Sequence, residues 1–351
     1  MAESVSLPTH RRAWRRTDDF TLGAPKVKLV TEPLPLPLMP TQVLIKVHAV
    51  ALNYRDANIA NGGNPWPVLP NGVLGNDAAG EIIAMGDKVR ALVVGDRIAP
   101  ITDTEFITGR EPGRSWLAAD EDGVLADYLV FDEKLVAKLP LHLDWVNCSI
   151  IPCAGTTAWS AIKGLSIGQS ALIQGTGGVA MFALRLAQAS GLKVILSSSS
   201  EAKITAIQKS FPSAPIHGVN YSTNPNWHAD VLKLTDGVGV DLVVENGGTS
   251  SLVQSMKCTR RGGTVSQVGY LGKQDPAHLK EFVSTIIDRR VNVRGINAGS
   301  RLDLEDLCAA ISATKLQFDD IIDSVYGFDQ AEEAIGYLWE GRQVGKVVLR
   351  L

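Results

Sequence analysis

The stretch Leu172-Ile173-Gln174-Gly175-Thr176-Gly177-Gly178-Val179-Ala180 decides the fold class of this chain. Its small residues follow the order G-x-G-x-x-A, with Ala180 in the third position. Gly175 permits a tight turn after a strand, Gly177 lets another group approach the backbone, and Ala180 lets a helix pack closely on the strand. The stretch predicts a strand, a turn and a helix whose N-terminus offers unpaired N–H groups to an anion.

The sequence around this stretch alternates between short β-rich runs and helical stretches. Such alternation predicts a doubly wound parallel sheet with right-handed crossovers. In that context the glycine turn indicates dinucleotide binding, and the alternative is an ordinary glycine turn. The predicted strands are Ala171–Gln174, Val194–Ser197, Val240–Glu245 and Thr264–Val268, and the predicted helices are Val179–Ser190 and Glu201–Ser210.

The end of the second predicted strand indicates which dinucleotide the site prefers. A site for NAD usually places a carboxylate about 20 residues after the first glycine, where it binds the ribose 2′-OH. Here Ser197-Ser198-Ser199-Ser200 occupies that place, and no carboxylate precedes Glu201. Hydroxyl groups and the Lys203 ammonium suit a 2′-phosphate, and Tyr221 is a further donor. The residues favour NADPH over NADH, the alternative being a polar turn with Lys203 in solvent.

The residues before this region have a different pattern, with many prolines, many glycines and short apolar runs. Four prolines within Pro33–Pro40 prevent regular pairing between the two runs that flank them. Short apolar runs punctuated by glycines are typical of an antiparallel or barrel-like β region. The predicted elements outside the α/β region are strands at Lys26–Val30 and Val43–Val50, β-rich runs within Val73–Pro100, a strand pair within Val124–Leu139, a helix at Leu304–Thr314 and a strand at Lys346–Leu351. On the second of these strands, Val43, Ile45 and Val47 point one way, and Leu44 and Lys46 the other.

Composition argues against several classes of protein. A length of 351 residues suggests two domains, at roughly 150 residues each. Lys plus Arg is 34 and Asp plus Glu is 37, so a net charge of −3 gives no electrostatic footprint for nucleic acid or an anionic membrane. No apolar run approaches the roughly 20 residues of a membrane span. Four cysteines without a C-x-x-C pair argue against a disulfide framework and against a cysteine-built zinc site, and a reduced, cytoplasmic protein is expected.

Six motifs, taken in order, resemble the medium-chain dehydrogenase/reductase superfamily, on its zinc-independent, quinone-oxidoreductase-like side and its zinc-type alcohol dehydrogenase-like branch. The resemblance covers the chain from Trp14 to Leu351. It implies a Rossmann doubly wound parallel sheet plus a GroES-like β-rich catalytic domain. The catalytic domain would be residues 1–152 completed by 297–351, and the NADPH-binding domain 153–296. The motifs are Leu52–Asp56, Leu74–Gly80, Gly95–Arg97, Pro152–Trp159, the glycine turn and Gly345–Val348.

The resemblance also bears on metal binding. The positions that hold catalytic zinc in zinc-dependent members look like Asn53, Asn76 and Cys153 here. Neutral amides beside a single thiol are poor zinc ligands. Residues 90–125 contain no cysteine where the structural-zinc loop would lie. No metal is therefore expected.

Without a Lewis acid, hydrogen-bond donors must stabilise the negative charge that develops on a carbonyl oxygen. The candidate catalytic residues are Asn53 and Tyr54, with Asn76 in the same wall, and Tyr54 is also a candidate proton relay. The alternatives are that the two amides are structural and that Tyr54 is an aromatic at the edge of the core.

The resemblance assigns the cofactor contacts to several loops. Thr157 looks like the threonine beside the nicotinamide, Asn246 follows the predicted strand Val240–Glu245, and Gly269 and Tyr270 follow the predicted strand Thr264–Val268. Asn297, Gly299 and Ser300 resemble the last loop over the nicotinamide ribose. The expected cofactor-binding residues are Thr157, Gly175, Thr176, Gly177, Gly178, Val179, Ser198, Ser199, Lys203, Tyr221, Asn246, Gly269, Tyr270, Asn297, Gly299 and Ser300.

The expected function is that of an NADPH-dependent oxidoreductase acting on a small carbonyl-conjugated substrate. It would transfer hydride to an activated C=C bond (enone or enal) or to a quinone, without catalytic zinc. Three alternatives stay open: a zinc-free alcohol dehydrogenase or ketoreductase acting on C=O, an NADPH-binding protein with little redox turnover, and a non-redox catalyst. A homodimer is expected through the edge of the Rossmann sheet, with Val291–Ile296 as the candidate edge strand.

Overall fold

The computed structural model describes residues 7–211, 215–270 and 272–351, which form two compact units. The first unit holds the described residues up to Thr156 together with Gly299–Leu351, and the second holds Thr157–Ala298. The expected domain limits after residues 152 and 296 lie close to these divisions and stay a proposal. Within the described part of the chain, no helix is both long and apolar enough to cross a membrane.

Strands and helices are present in both units. The strands, in chain order, are β1 (His10–Arg16), β2 (Val27–Pro33), β3 (Gln42–Leu52), β4 (Ala78–Met85), β5 (Arg97–Pro100), β6 (Tyr128–Asp132), β7 (Val136–Lys138), β8 (Ser170–Gln174), β9 (Lys193–Ser198), β10 (Ile216–Asn220), β11 (Val240–Glu245), β12 (Thr259–Gln267), β13 (Asn292–Gly295), β14 (Ile322–Gly327) and β15 (Lys346–Arg350). The helices are α1 (Tyr54–Ala60), α2 (Trp145–Ser149), α3 (Thr156–Ile162), α4 (Gly178–Ala189), α5 (Glu201–Ser210), α6 (Trp227–Leu234), α7 (Leu252–Cys258), α8 (Phe282–Arg289), α9 (Arg301–Thr314) and α10 (Ala331–Trp339).

The first unit is a β structure with two sheets. β1 pairs with β2 in a two-stranded antiparallel sheet. A seven-stranded sheet has the order β14-β15-β3-β4-β5-β7, and β6 also pairs with β3. The proline segment Pro33–Pro40 connects β2 to β3, and the two strands do not pair with each other, as the sequence predicts; they lie in different sheets. This unit is the GroES-like β domain that the motifs imply.

Two expectations for the first unit differ from the structure in detail. β6 and β7 do not form a strand pair with each other, because β6 pairs with β3 and β7 with β5. Lys46 is exposed, but Leu44, which shares its face of β3, is fully buried. Leu44 lies outside the core cluster that contains Val43 and Ile45, so both faces of β3 are covered over part of its length.

Three neighbouring strands of the seven-stranded sheet bring polar residues to one end. The register places the first residues of β15 and of β4 beside the last residues of β3. Lys346 begins β15, Asp77 directly precedes β4, and Asn53 directly follows β3. Backbone pairing therefore brings three residues together that are distant in sequence.

The second unit is built on a six-stranded parallel sheet of order β10-β9-β8-β11-β12-β13. Numbered from β8, this order is 3-2-1-4-5-6, which is that of the Rossmann fold, and it confirms the predicted fold class. The order reverses at β8, and open sheets of this kind bind ligands outside the carboxyl ends of the strands at such a point. β13 forms one edge of the sheet, as predicted for the run Val291–Ile296. β12 begins at Thr259, before the run predicted at Thr264–Val268.

Candidate active site and cofactor site

The glycine turn joins β8 to α4 as the sequence predicts. Gly175 has a φ of +84°, a conformation that glycine adopts without strain, and Gly177 is the N-cap of α4. A Cβ atom built at either glycine would meet no heavy atom within 4 Å. Met181 N–H donates to Gly177 C=O at 2.9 Å, so the N–H groups of Gly178 and Val179 belong to the first turn, which lacks partners inside the helix. Open space over a helix N-terminus fits a pyrophosphate.

A cavity of about 450 Å³ lies at the carboxyl ends of β8, β9, β10 and β11. Its lining includes the predicted cofactor residues Gly175, Tyr221 and Asn246, together with Ser197 and Trp227. The volume and the position at the switch point of the sheet suit part of a dinucleotide. Trp227 was not among the expected residues, although an aromatic side chain between the predicted strands Val194–Ser197 and Val240–Glu245 was a usable signal.

A buried carboxylate holds one wall of this cavity. Glu245, the last residue of β11, is fully buried. Its Oε1 accepts hydrogen bonds from the N–H groups of Gly247 (2.7 Å) and Gly248 (3.1 Å) and from Ser251 Oγ (2.5 Å). Its Oε2 accepts from Gln174 Nε2 at 2.8 Å and from Ser255 Oγ. The carboxylate therefore joins the end of β8 to the loop after β11.

Asn246 takes part in the same wall. Its Nδ2 donates to the carbonyl oxygen of Gln174 at 2.7 Å, and its backbone N–H donates to Gln174 Oε1 at 3.1 Å. Its amide is thus used to place the residue that precedes Gly175. The contact of Asn246 with the cofactor stays a prediction. From the sequence, Glu245 was predicted only as the last residue of a strand, and its role in the cavity wall was not predicted.

The residues expected at a 2′-phosphate are brought close together. Tyr221 N–H donates to the carbonyl oxygen of Ser198 at 3.1 Å, so the ends of β9 and β10 are adjacent. Ser198 is buried, whereas Ser199 and Tyr221 are exposed. Ser200 Oγ accepts from Lys203 N–H at 3.3 Å and caps α5, which places Lys203 in the first turn of that helix.

The remaining expected cofactor residues occupy several places in the two units. Gly269 N–H donates to the carbonyl oxygen of Glu245 at 3.2 Å, beside the cavity wall, and Tyr270 follows it half-exposed. In the second unit Thr157 and Thr176 are buried and Asn297 is exposed. In the first unit, Gly299 is buried and Ser300 Oγ accepts from Asp303 N–H at 3.2 Å as the cap of α9. The roles of these residues toward a cofactor stay predictions.

The first unit contains a group of polar residues that we call the amide–lysine cluster: Asn53, Asn76, Asp77 and Lys346. Lys346 Nζ donates to Asn53 Oδ1 at 2.7 Å and to Asp77 Oδ2 at 3.2 Å. Asn53 Nδ2 donates to Asn76 Oδ1 and to Asp77 Oδ2, both at 2.9 Å. Asn76, Asp77 and Lys346 are each at most 2 % exposed. Burial raises the pKa of Asp77, and the Lys346 ammonium opposes that rise.

The three expected catalytic residues differ in their surroundings. Both N–H bonds of the Asn53 amide have acceptors inside the cluster, which departs from the expected role of Asn53 as a donor to substrate. Asn76 Oδ1 accepts from Asn53, while the described residues offer no acceptor to Asn76 Nδ2. Tyr54 is 42 % exposed and its ring stacks on that of Trp339, with centroids 6.0 Å apart.

The donor set at the positions that resemble zinc ligands does not fit zinc. Two of the three side chains are amides, and desolvation raises the pKa of the Cys153 thiol to about 12, so the thiolate that zinc prefers is disfavoured. The ammonium of Lys346 lies 2.7 Å from Asn53 Oδ1 and would repel a cation there. Within residues 7–211, 215–270 and 272–351, no three His, Cys, Asp or Glu side chains are grouped for a metal. The absence of zinc from the reaction stays a prediction.

Asp56 is a buried carboxyl group that is hydrogen-bonded to the backbone of Asn53, a member of the cluster. Its Oδ2 accepts from Asn53 N–H at 2.7 Å, whereas its Oδ1 is buried with no hydrogen-bond partner among the described residues. Burial raises its pKa from 3.8 to about 6. Because the folded-state pKa lies above that of an exposed carboxyl, the folded protein binds more protons between these two values. This group's contribution to the free energy of unfolding therefore falls as the pH rises through that window.

Asp56→Asn is expected to remove this unfavourable contribution. An asparagine keeps an acceptor for Asn53 N–H but carries no charge. Relative to wild type, the variant should gain about 2 kcal/mol of unfolding free energy at pH 7.5 compared with pH 4.5, from roughly 1.4 kcal/mol per pH unit between pH 4.5 and the pKa of about 6. Urea denaturation of both proteins at the two pH values measures the difference. A wild-type advantage that grows with pH would contradict the assignment.

Comparisons with known proteins agree with this architecture. The zinc-binding dehydrogenase family model matches residues 178–340, and the alcohol dehydrogenase GroES-like domain model matches residues 39–141. A zinc-type alcohol dehydrogenase-like protein of Schizosaccharomyces pombe is 33% identical over 342 residues, covering 95% of this chain and 97% of that protein.

Two solved structures are similar over nearly the whole chain. The crystal structure of a protein described as an alcohol dehydrogenase from Sinorhizobium meliloti has a TM-score of 0.85 and 31% identity, covering 99% of this chain and 100% of that chain. The quinone oxidoreductase from Coxiella burnetii has a TM-score of 0.71 and 25% identity, covering 97% and 99%.

A GroES-like β unit in the same chain as a Rossmann unit with an open glycine turn defines an oxidoreductase that uses a nicotinamide cofactor. The chain belongs to the medium-chain dehydrogenase/reductase superfamily.

Proposed function

We propose that the chain is an NADPH-dependent reductase that transfers hydride to an activated C=C bond of an enone or enal, or to a quinone, without catalytic zinc. The amide–lysine cluster carries the proposal. Where the family's zinc ligands would lie, this chain has two amides held by a buried ammonium. Substrates activated by conjugation depend less on a metal than simple aldehydes do, since the negative charge that develops in the reaction is delocalised.

NADPH supplies the hydride from its nicotinamide when bound. The described residues fit such a cofactor, because the space over Gly177 is open and the cavity beside it is lined by Tyr221 and Trp227. Gly178 and Val179 offer N–H groups to the pyrophosphate. Ser199, Lys203 and Tyr221 are proposed to contact the 2′-phosphate.

The reaction also requires a donor at the carbonyl oxygen and a proton. Adding hydride to the far carbon of an enone leaves negative charge on the oxygen, which a positioned N–H group stabilises. Asn76 Nδ2 is proposed for this role, because it is the cluster's amide nitrogen without an acceptor in the described structure. The Tyr54 hydroxyl or solvent supplies the proton.

Reduction of C=O is the second candidate function. The Schizosaccharomyces pombe relative and the Sinorhizobium meliloti structure are both described in terms of alcohol dehydrogenase, and both are more similar to this chain than the quinone oxidoreductase is. A zinc-free ketoreductase would use the same donor on the oxygen and receive hydride on the carbonyl carbon.

Oxidation of NADPH by chelator-treated protein tests the proposal. The acceptors are quinones, enones, enals and simple aldehydes, and the loss of reduced-nicotinamide absorbance reports turnover. Reduction of enones or quinones, unaffected by chelator, is expected. Turnover of aldehydes alone would favour the second candidate, and tight NADPH binding without turnover would favour a binding protein. Loss of activity on chelation would show that the prediction of a reaction without catalytic zinc is wrong.

Lys203→Ala is expected to weaken NADPH binding about 10–100-fold, because a charge-assisted hydrogen bond to phosphate contributes about 1.5–3 kcal/mol. NADH affinity should change by no more than about twofold, since NADH has no 2′-phosphate. Lys209→Ala is the matched control, because Lys209 is an exposed lysine on the same helix. Calorimetric titration with both cofactors measures the effect, and an equal loss for both would place Lys203 outside the 2′-phosphate site.

We also propose a homodimer through β13. This strand is an edge of the sheet, and the preceding helix α8 exposes Val283 and Ile287 at 65% and 70%. Apolar side chains one helical turn apart beside an open edge suit a second copy of the chain. A monomer in sedimentation at micromolar concentration would refute this. The cytoplasmic location and the absence of nucleic-acid and membrane partners stay predictions.

A further inference from the structure

We infer that Lys346 is a positioning residue, which acts through Asn53 to hold Asn76 Nδ2 as the donor to the substrate's carbonyl oxygen. This inference rests on the proposed function and deepens it. The sequence motifs include Lys346 only as part of the terminal Gly345–Val348 motif. The fold places it at the start of β15, beside the end of β3, with its side chain 2 % exposed.

The ammonium determines how the Asn53 amide is turned. An ammonium can only donate hydrogen bonds, so Asn53 must present Oδ1 to Lys346 Nζ, at 2.7 Å. Nδ2 of Asn53 then faces the opposite way and donates to both Asn76 and Asp77. An asparagine at an N-cap ordinarily accepts from the helix backbone through its side chain. Here Asn53 Oδ1 accepts from Lys346 Nζ, and Nδ2 donates twice within the cluster.

The orientation of the Asn53 amide in turn determines the orientation of the Asn76 amide. Because Asn76 Oδ1 accepts from Asn53 Nδ2, the Nδ2 group of Asn76 points away from Asn53. Asn76 is only 2 % exposed, yet its Nδ2 has no acceptor among the residues that the structure describes. Nδ2 is not one of the fully enclosed polar atoms without a partner, so it keeps some accessible surface, and a ligand oxygen there would give it an acceptor.

The hydrogen bonds of the cluster also polarise one another. Each hydrogen bond in the series from Lys346 to Asn53 to Asn76 polarises the next, so the Asn76 amide becomes a stronger donor than an isolated amide. Asp77 balances the ammonium, and its Oδ1 accepts from Cys153 N–H at 2.6 Å, which anchors the carboxylate. The cation is therefore held near the site without direct contact with the substrate.

Variants that change the cluster test the inference with cyclohexenone as the acceptor. Asn76→Leu should lower kcat about 100–1000-fold, as expected when an oxyanion donor is lost. Lys346→Met alone would leave a buried carboxylate unpaired and endanger folding, so Lys346→Met/Asp77→Asn removes both charges together. This double variant should lower kcat about 10–100-fold, with KM and NADPH affinity within about twofold of wild type. Lys138→Met/Asp96→Asn removes a different ion pair of the first unit, with Nζ and Oδ2 2.9 Å apart, and is the matched control, which should stay within about threefold.

An infrared measurement separates this inference from the proposed function. Cyclohexanone labelled with carbon-13 at the carbonyl is the probe, and its C=O stretch falls in frequency when the oxygen accepts a hydrogen bond. The shift should be present in the wild type, reduced in the double variant and absent in Asn76→Leu. The full pattern of shifts without any enone turnover would refute the proposed function alone. Enone turnover with an unchanged kcat in the double variant would overturn the role of Lys346, and an unbound or unshifted carbonyl would overturn that of Asn76.

Discussion

Gly177→Val is expected to weaken NADPH binding about 100–10,000-fold while leaving the free energy of unfolding near that of wild type. The backbone of Gly177 has a φ of −80°, which valine adopts without strain, and a Cβ there would meet no atom within 4 Å. The added side chain would instead fill the space over the first turn of α4. Two N–H bonds to a pyrophosphate would be lost, each contributing about 1.5–3 kcal/mol.

Titration with NADPH and urea denaturation measure the two halves of this expectation. Gly336→Val is the matched control, because Gly336 is an exposed residue of α10 whose Cβ would also meet nothing. The control should bind NADPH as wild type does. If Gly177→Val binds NADPH normally, the turn is an ordinary structural one and the cofactor site lies elsewhere.

Glu245→Gln is expected to lower the free energy of unfolding by about 3 kcal/mol and to weaken NADPH binding by about tenfold. The carboxylate accepts five hydrogen bonds in a fully buried place, and bonds to a charged group are stronger than those to a neutral amide. A glutamine would also turn an N–H group toward Gln174 Nε2 or toward the glycine N–H groups, so at least one buried donor would lose its acceptor. The loop that lines the cavity would then be less firmly held.

Asp241→Asn provides the comparison, since Asp241 also lies on β11 but near the other end of the strand. Its carboxylate accepts from Ser170 N–H at 2.8 Å and pairs with Arg260 at 2.7 Å. That variant should lose stability without losing NADPH affinity. Urea denaturation and calorimetric titration of both variants decide the matter, and an equal effect of the two on NADPH binding would show that the Glu245 network has no particular role in the cavity.

Much of the second unit could be predicted because its signals are local. A strand, a glycine turn and a helix follow one another within a dozen residues, and each is determined by backbone freedom and apolar spacing over that distance. The strands predicted at Ala171–Gln174 and Val194–Ser197 are β8 and β9 with only the ends adjusted. The helix predicted at Glu201–Ser210 is α5 without change.

Pairing partners were harder to predict because they join distant parts of the chain. The strand pair expected within Val124–Leu139 consists of β6 and β7, which pair with different strands. Leu44 was expected on the face of β3 opposite Val43 and Ile45, but nothing in the alternation showed that this second face is also covered. Both differences arise from tertiary packing rather than from propensity.

The sequence by itself determined the order of the two kinds of unit, the glycine turn between β8 and α4, and the amides at two positions that resemble zinc ligands. Only the tertiary structure decided which polar groups are free. Asn53 and Asn76 are equivalent amides in the sequence, yet Lys346, almost 300 residues after Asn53, engages one and leaves the other's Nδ2 without an acceptor in the described structure. Hydrogen-bond satisfaction depends on which groups the strand register brings together, and this register is a property of the folded sheet.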